Sequence, residues 1–278
     1  MNICDMSYEK LDQPEISSIL FQPRRDWRPP AAPLFEQEVE VEPGLSLPLR
    51  YHLEAEDPGA PNLLFFHGNG EVACDYDDLG PRFNAAGINL VVAEYRGYGR
   101  SSGTPSVGAM LHDARLLLPA VRATLAEAGK TGKLGLMGRS LGSVPAIDLA
   151  VTASAGEVDG LIIDSGIAQT IPLLLTLGIA PGECGISSEA EGFRNLQKIA
   201  FFDKPTFILH AQHDELIPVG LAEELQANSG AQSKEFQIVP GAGHNDIIER
   251  VGDLYFQVLA RFCRKLGQKP RPKKPGVR

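Results

Sequence analysis

Residues 133 to 142 read Lys-Leu-Gly-Leu-Met-Gly-Arg-Ser-Leu-Gly. Leu134, Leu136 and Met137 make a short apolar strand, Gly138-Arg139-Ser140-Leu141-Gly142 follows without a gap, and helical character runs on from Leu141 to Ala155. Strand, G-x-S-x-G and helix, in that order, hold a serine in a sharp turn at the end of a strand. The turn is strained, and it leaves no room for bulk two residues before and two after the serine. Gly138 and Gly142 meet that need. Ser140 alone would equally fit a helix N-cap, so its partners elsewhere in the chain decide its role.

The same rhythm extends on both sides. Leu34 to Ala55 alternates apolar and polar residues around a Pro43-Gly44 turn signal, which predicts an antiparallel hairpin at a sheet edge. Asn62 to Phe66 and Ile88 to Ala93 are buried strands leading into His67-Gly68-Asn69-Gly70 and a glycine-rich loop. Helices are predicted over Asp75 to Ala86, Val107 to Ala128 (with Pro119 as a point of kinking), Val219 to Ala227 and Asp246 to Leu266. Further strands, Val158 to Ile163, Thr206 to Leu209 and Phe236 to Val239, run into loops that carry Asp164, Asp214 and His244. Apolar strands separated by helices predict an α/β fold: a mostly parallel sheet of about eight strands, covered on both faces. One excursion breaks the rhythm, 167–203, and its size beside a strand end predicts a small cap. The expected organisation is an N-terminal arm (1–33) with Trp27 as its anchor, a single domain (34–266) and a basic flexible tail (267–278). Pro145, near the fifth position of a helix counted from Leu141, is expected to loosen that helix.

Composition narrows the function. The 278 residues are 43% hydrophobic, enough for one sizeable core. The net charge is −9, and the last fifteen residues hold seven Lys or Arg and no acid, so the body is more acidic than that figure. An acidic body argues against nucleic acid as a partner. Cys4, Cys74, Cys184 and Cys263 form no CxxC and the histidines have no metal-ligand spacing, so neither a disulfide framework nor a metal is expected. The start has no basic-then-apolar leader, and the longest apolar run, Ile171 to Ala180, is about half of the ~20 residues a spanning helix needs. A cytoplasmic protein without stable membrane insertion is the expectation.

The chemistry lies at the strand ends, where parallel sheets bind ligands. Ser140, Asp214 and His244 fall just past strands, in the chain order this elbow uses. A serine hydroxyl becomes a nucleophile when an imidazole accepts its proton, and a carboxylate holds that imidazole in the needed tautomer. Asp164 competes for the acid role because it too follows a strand. Asp246, two residues past His244, is explained as a first-turn carboxylate. Two backbone N–H groups should receive the developing oxyanion: that of Leu141 and, from the His67–Gly70 loop, that of Asn69. His67 orients that loop, Glu71 lines the pocket or is solvated, and Arg96 pins the loop behind. Gly97-x-Gly99-x-x-x-Gly103 is one residue too long for a dinucleotide fingerprint and opens no helix, so no cofactor is expected.

FFHGNG, EYRGYGRSSG, GRSLG, QHDELIP and GAGHND, spread from Phe65 to Asp246, together resemble the α/β-hydrolase superfamily, in its BEM46-like or serine-aminopeptidase-type branch. The resemblance implies Ser140 as nucleophile, His244 as base, Asp214 as acid, an oxyanion hole at Asn69 and Leu141, and a cap where 167–203 lies. Depalmitoylases of this branch carry an N-terminal cysteine cluster. A lone Cys4 is not one, so that role is not carried over. The expected function is hydrolysis of a carboxylic ester or thioester through an acyl-enzyme, with a small-molecule ester, thioester or amide as partner. The alternatives are a serine peptidase or amidase, and a non-catalytic binding protein on the same fold. Ile171, Leu174 and Leu177 are expected to wall the acyl pocket; welding the cap to the sheet, or a homodimer contact, is the competing use of these side chains.

Overall fold

The structure, a computed structural model, describes residues 7–267. Cys4 and all but the first residue of the basic tail lie outside the described residues. Eight strands form one sheet: β1 (Phe35–Glu42), β2 (Leu45–His52), β3 (Asn62–Phe66), β4 (Asn89–Ala93), β5 (Leu134–Arg139), β6 (Gly160–Asp164), β7 (Thr206–Ala211) and β8 (Lys234–Val239). Their order is β1-β2-β4-β3-β5-β6-β7-β8. β1 and β2 form the expected antiparallel hairpin, β2 meets β4 antiparallel, and every other pairing is parallel.

The period of two along each buried strand divides the core into two layers. Leu64, Phe66, Val91, Leu136 and Ile163 face one layer, with α1 (Pro14–Leu20), α3 (Val107–Glu127), α4 (Ser143–Thr152), α5 (Thr170–Thr176), α6 (Asn195–Ile199) and α7 (Val219–Asn228). Leu63, Phe65, Leu90, Val92 and Ile162 face the other, with α2 (Gly80–Ala85), α8 (Ile247–Val251) and α9 (Asp253–Cys263).

Several boundaries differ from the sequence reading, each for a local reason. Pro119 sits inside a continuous α3. The stretch from Asp75 divides into a 3₁₀ turn (Ala73–Tyr76) and α2, which restarts with Pro81 in its first turn, where a missing N–H costs nothing. The predicted last helix breaks at Gly252, whose φ of 56° and ψ of −132° belong to glycine alone. Pro145 proves harmless: Ser140–Gly142 is a separate 3₁₀ turn and α4 begins at Ser143, so the proline falls in the first turn.

The N-terminal arm is no loose appendage. It contains α1, and Tyr8, Leu11, Ile16, Leu20 and Phe21 are buried with the core. Trp27, by contrast, is 40% exposed and is tied by Nε1 to the Glu36 carboxylate at 3.1 Å, with Arg100 over its ring.

His52, at the end of β2, lies so close to Gly80 that a Cβ there would sit 2.0 Å from its Nδ1. Burial pushes this imidazole down to about 4, against the pull of Asp77 and with the help of Arg50. Between pH 6.5 and 4 the unfolded chain therefore binds a proton that the folded chain refuses, and stability falls as pH falls through that window. The loss is about 3 kcal/mol at most. Urea unfolding of wild type and His52→Leu at pH 7 and pH 4.5 should show a smaller acid loss in the variant; parallel losses would remove this assignment.

Candidate active site

β5 ends at the centre of the sheet, and the backbone turns sharply at Ser140, whose φ is +50°. That left-handed conformation costs about 1–3 kcal/mol for a residue with a Cβ, and the surroundings must enforce it. They do so by contact. A Cβ on Gly138 would lie 2.2 Å from Gly142 O, and one on Gly142 would lie 2.0 Å from Phe66 O. Ser143 Oγ then donates to Ser140 O at 2.6 Å and accepts from Ile167 N at 2.9 Å, stitching the turn to the chain beyond β6.

His244 reaches the serine from the loop after β8. Its Nε2 is 2.9 Å from Ser140 Oγ, and its Nδ1 is 2.8 Å from Asp214 Oδ2. An ionised carboxylate only accepts, so Nδ1 carries the proton and Nε2 is free to accept from the serine hydroxyl. Asp214 is buried beyond β7. Burial alone would raise its pKa, but the His244 hydrogen bond and charge, together with the Ile217 N–H at 2.7 Å, hold the carboxyl below the usual range. Glu215, passed over in the sequence, accepts from His244 N at 3.1 Å and steadies the loop.

Asp164 takes no part in this line. It is buried, Tyr255 donates to its Oδ2 at 2.7 Å, and burial raises its pKa against the charge of Arg139. Asp246 accepts from Gly243 N at 2.6 Å, a brace within the loop.

The His67–Gly70 loop lies beside the elbow. His67 Nδ1 meets Gly68 O at 2.9 Å and Nε2 meets Glu94 Oε1 at 2.7 Å. Both partners are oxygen atoms, Gly68 O and the Glu94 carboxylate, a setting that favours a proton on the ring. Burial works against the charged ring, but the charge and hydrogen bond of Glu94, with the Gly68 carbonyl and the Glu71 charge, together raise the pKa. His67 thus orients the loop, as its position in the sequence suggested. Glu71 is a brace as well: it accepts from Gly68 N at 2.7 Å and Tyr76 Oη at 2.6 Å, and it pairs with Arg139. With Arg139, Asp164 and Tyr255 it lines a cavity of about 190 Å³. Asn69 N–H donates to no protein group among the described residues. Arg96 pins the following loop to α3 and β1 through Asp113 at 2.7 Å and Glu42 at 2.9 Å.

The structure therefore brings Ser140, His244 and Asp214 together, with Leu141 and Asn69 in the elbow and the neighbouring loop. The three expected pocket residues lie on or just past α5. Leu174 is fully buried in the layer that α4 shares, while Ile171 and Leu177 are half-buried against it. None of the three lines the 190 Å³ cavity.

An eight-stranded, mostly parallel sheet with a serine elbow at its centre defines the α/β-hydrolase fold. An esterase of Pyrococcus furiosus shares it, with a TM-score of 0.70 at 16% identity over 88% of this chain and 99% of that one. The model of the serine aminopeptidase S33 family matches residues 59–177. Protein bem46 of Schizosaccharomyces pombe is 31% identical over 222 residues, 76% of this chain and 70% of the relative. The alpha/beta hydrolase domain-containing protein 17C of Xenopus laevis is 33% identical over 72% of this chain, which spans only 59% of that relative's length. The chain belongs to the BEM46-like branch of the α/β-hydrolases. No helix among the described residues is long and apolar enough to cross a membrane.

Gly142→Ala should destabilise the fold by about 1–3 kcal/mol or more, because its Cβ meets a backbone carbonyl that cannot step aside. Gly220→Ala, inside α7 with nothing within 4 Å of the added carbon, should be neutral or stabilising. Urea midpoints compare the two, and equal midpoints would contradict the packing argument.

Proposed function

We propose that this protein is a serine hydrolase that cleaves carboxylic esters or thioesters through an acyl-enzyme. The observation that carries the reading is His244, placed between Ser140 Oγ at 2.9 Å and Asp214 at 2.8 Å. Ser140 Oγ attacks the substrate carbonyl as His244 Nε2 takes its proton. The carbonyl oxygen becomes an oxyanion, received by the backbone N–H groups of Leu141 and Asn69. The intermediate collapses, His244 returns the proton to the departing alcohol or thiol, and the acyl group stays on Ser140. Water, deprotonated by the same imidazole, then attacks the acyl carbon; the acyl–Oγ bond breaks, His244 returns the proton to Ser140 Oγ, and the acid departs. Asp214, ionised at neutral pH, stabilises the imidazolium in both halves.

An apolar cap with few charges favours acyl chains over peptides. The serine aminopeptidase description of the matching family keeps an amide substrate as the second reading. Ile171 and Leu177, half-exposed in front of the buried Leu174, are the wall proposed for the acyl chain. Each methylene buried there contributes ~0.8 kcal/mol.

A fluorophosphonate should label Ser140, and Ser140→Ala should abolish the label; a folded wild type left unlabelled counts against the mechanism. In an ester series from acetyl to decanoyl, Leu177→Ala and Ile171→Ala should change the chain-length preference, whereas Leu174→Ala should cost about 2–5 kcal/mol of stability. A uniform shift of kcat/KM across the series in both wall variants would remove the acyl wall. Turnover of amino-acid p-nitroanilides in place of esters would establish the second reading.

A further inference from the structure

The loop that carries the proposed oxyanion donor is held from behind by groups with no part in the reaction. Asn69 Oδ1 accepts from Tyr98 Oη at 2.7 Å and from the backbone N–H of Gln22 at 2.8 Å. Gln22 N also lies 2.9 Å from Tyr98 Oη, so the three groups close a triangle. Two donors converge on one atom of Asn69, and that fixes the amide with its oxygen toward them. Tyr98 is fully buried, its ring against His67 and Tyr95. Gln22 belongs to the N-terminal arm, which is anchored just before it by buried Leu20 and Phe21. Just after it, Arg24 O accepts from Gly99 N at 2.8 Å, and the Arg24 guanidinium donates to Gly70 O at 3.1 Å.

Asn69 stands between Gly68 and Gly70, and Gly70 has φ +74°. Glycine on each side gives this backbone wide freedom, which would let the N–H of Asn69 swing away from the serine. The flanking glycines are held through Gly68 N, Gly68 O and Gly70 O, and the side-chain amide is what fastens Asn69 itself. We propose that Tyr98 and the Gln22 N–H are a clamp that positions the Asn69 N–H as the oxyanion donor, so that the N-terminal arm is a working part of the active site. Both are positioning residues: they touch Asn69 and not the substrate. The inference rests on the hydrolase reading above and adds the arm and the tyrosine to it.

A donor held in place stabilises the oxyanion of the transition state and contributes little to binding the planar ground-state ester, so its loss appears in kcat rather than KM. Removing such a donor costs roughly 10²–10³ in kcat, and loosening one should cost roughly tenfold. The test uses the full chain and p-nitrophenyl butyrate, with kcat referred to sites titrated by a fluorophosphonate so that misfolded protein does not count. Tyr98→Phe, which keeps the buried ring, should lower kcat roughly tenfold and leave KM within about twofold. Asn69→Ala, which keeps the N–H and loses its fastening, should lower kcat at least as far. Adding Tyr98→Phe to Asn69→Ala should cost nothing more, because the hydroxyl has already lost its acceptor.

An unchanged kcat in Tyr98→Phe, an effect confined to KM, or losses that multiply in the double variant would overturn the clamp. If Tyr98→Phe does not fold, Asn69→Ala carries the test, and an unchanged kcat there overturns it. A wild type that neither turns over the ester nor titrates removes the hydrolase reading and this inference with it; a working wild type matched by both variants removes the inference alone.

Discussion

The carbonyl oxygen of Phe66 and the missing Cβ of Gly142 set the geometry on which the rest depends. At 2.0 Å from that oxygen there is room for a hydrogen and nothing larger. The elbow can therefore settle against the end of β3 and bring Ser140 beside the His67–Gly70 loop. Parallel register carries the consequence outward. Phe66 pairs with Gly138 and Arg139 with Asp164, so the strand ends form a level rim. The loops after β7 and β8 then deliver Asp214 and His244 to the same edge.

Beneath that rim the structure is unusually ionic for a core. His67 and Glu94 are buried together, Nε2 to carboxylate at 2.7 Å, and Arg139 pairs with Glu71 and donates to His244 O at 3.2 Å. Arg50 is fully buried and meets both oxygens of Asp77 at 2.6 Å and Glu36 at 2.5 Å. Buried ions seldom add stability over apolar replacements of the same shape. What these groups supply is direction. Each fixes a backbone carbonyl or N–H of a loop that has little regular structure to hold it.

The fold was legible because its signals are local and periodic. Apolar runs such as NLLFF and NLVVA could only be buried strands, and GRSLG needed only two small residues and a strand before it. The grouping of Ser140, His244 and Asp214 was legible for a different reason: Asp214 and His244 each follow a strand, and the chain order matched the elbow. The bracing residues left no such mark. Tyr98 lies 29 residues from Asn69, Glu215 lies 29 from His244, and Tyr255 lies 91 from Asp164. Nothing in the spacing of one residue announces a partner that far along the chain. The arm's share of the core was hidden on the same ground. Tyr8, buried in the arm, is hydrogen-bonded by Lys198 of α6, 190 residues downstream. Gly252 was readable as a breaker, but the long apolar stripe on both sides of it outweighed a single glycine.

The cap shows how far such distant partners constrain motion. Lys198, on α6 within the cap, is 1% exposed, and its Nζ meets Asp148 Oδ1 at 2.8 Å and Tyr8 Oη at 2.8 Å. Arg115 of α3 closes on the other oxygen of Asp148 at 2.7 Å. Burial lowers the Lys198 pKa, and Asp148 acts to raise it again. α6, the arm, α3 and the elbow helix α4 therefore share one buried charge cluster. Pulling the cap away at this end would strand a lysine or an aspartate without its partner, at a cost of about 3–5 kcal/mol. The stretch between α5 and α6, 177–194, touches the arm at its surface: Lys10 pairs with Glu191 and Gln13 donates to Cys184 O at 2.9 Å.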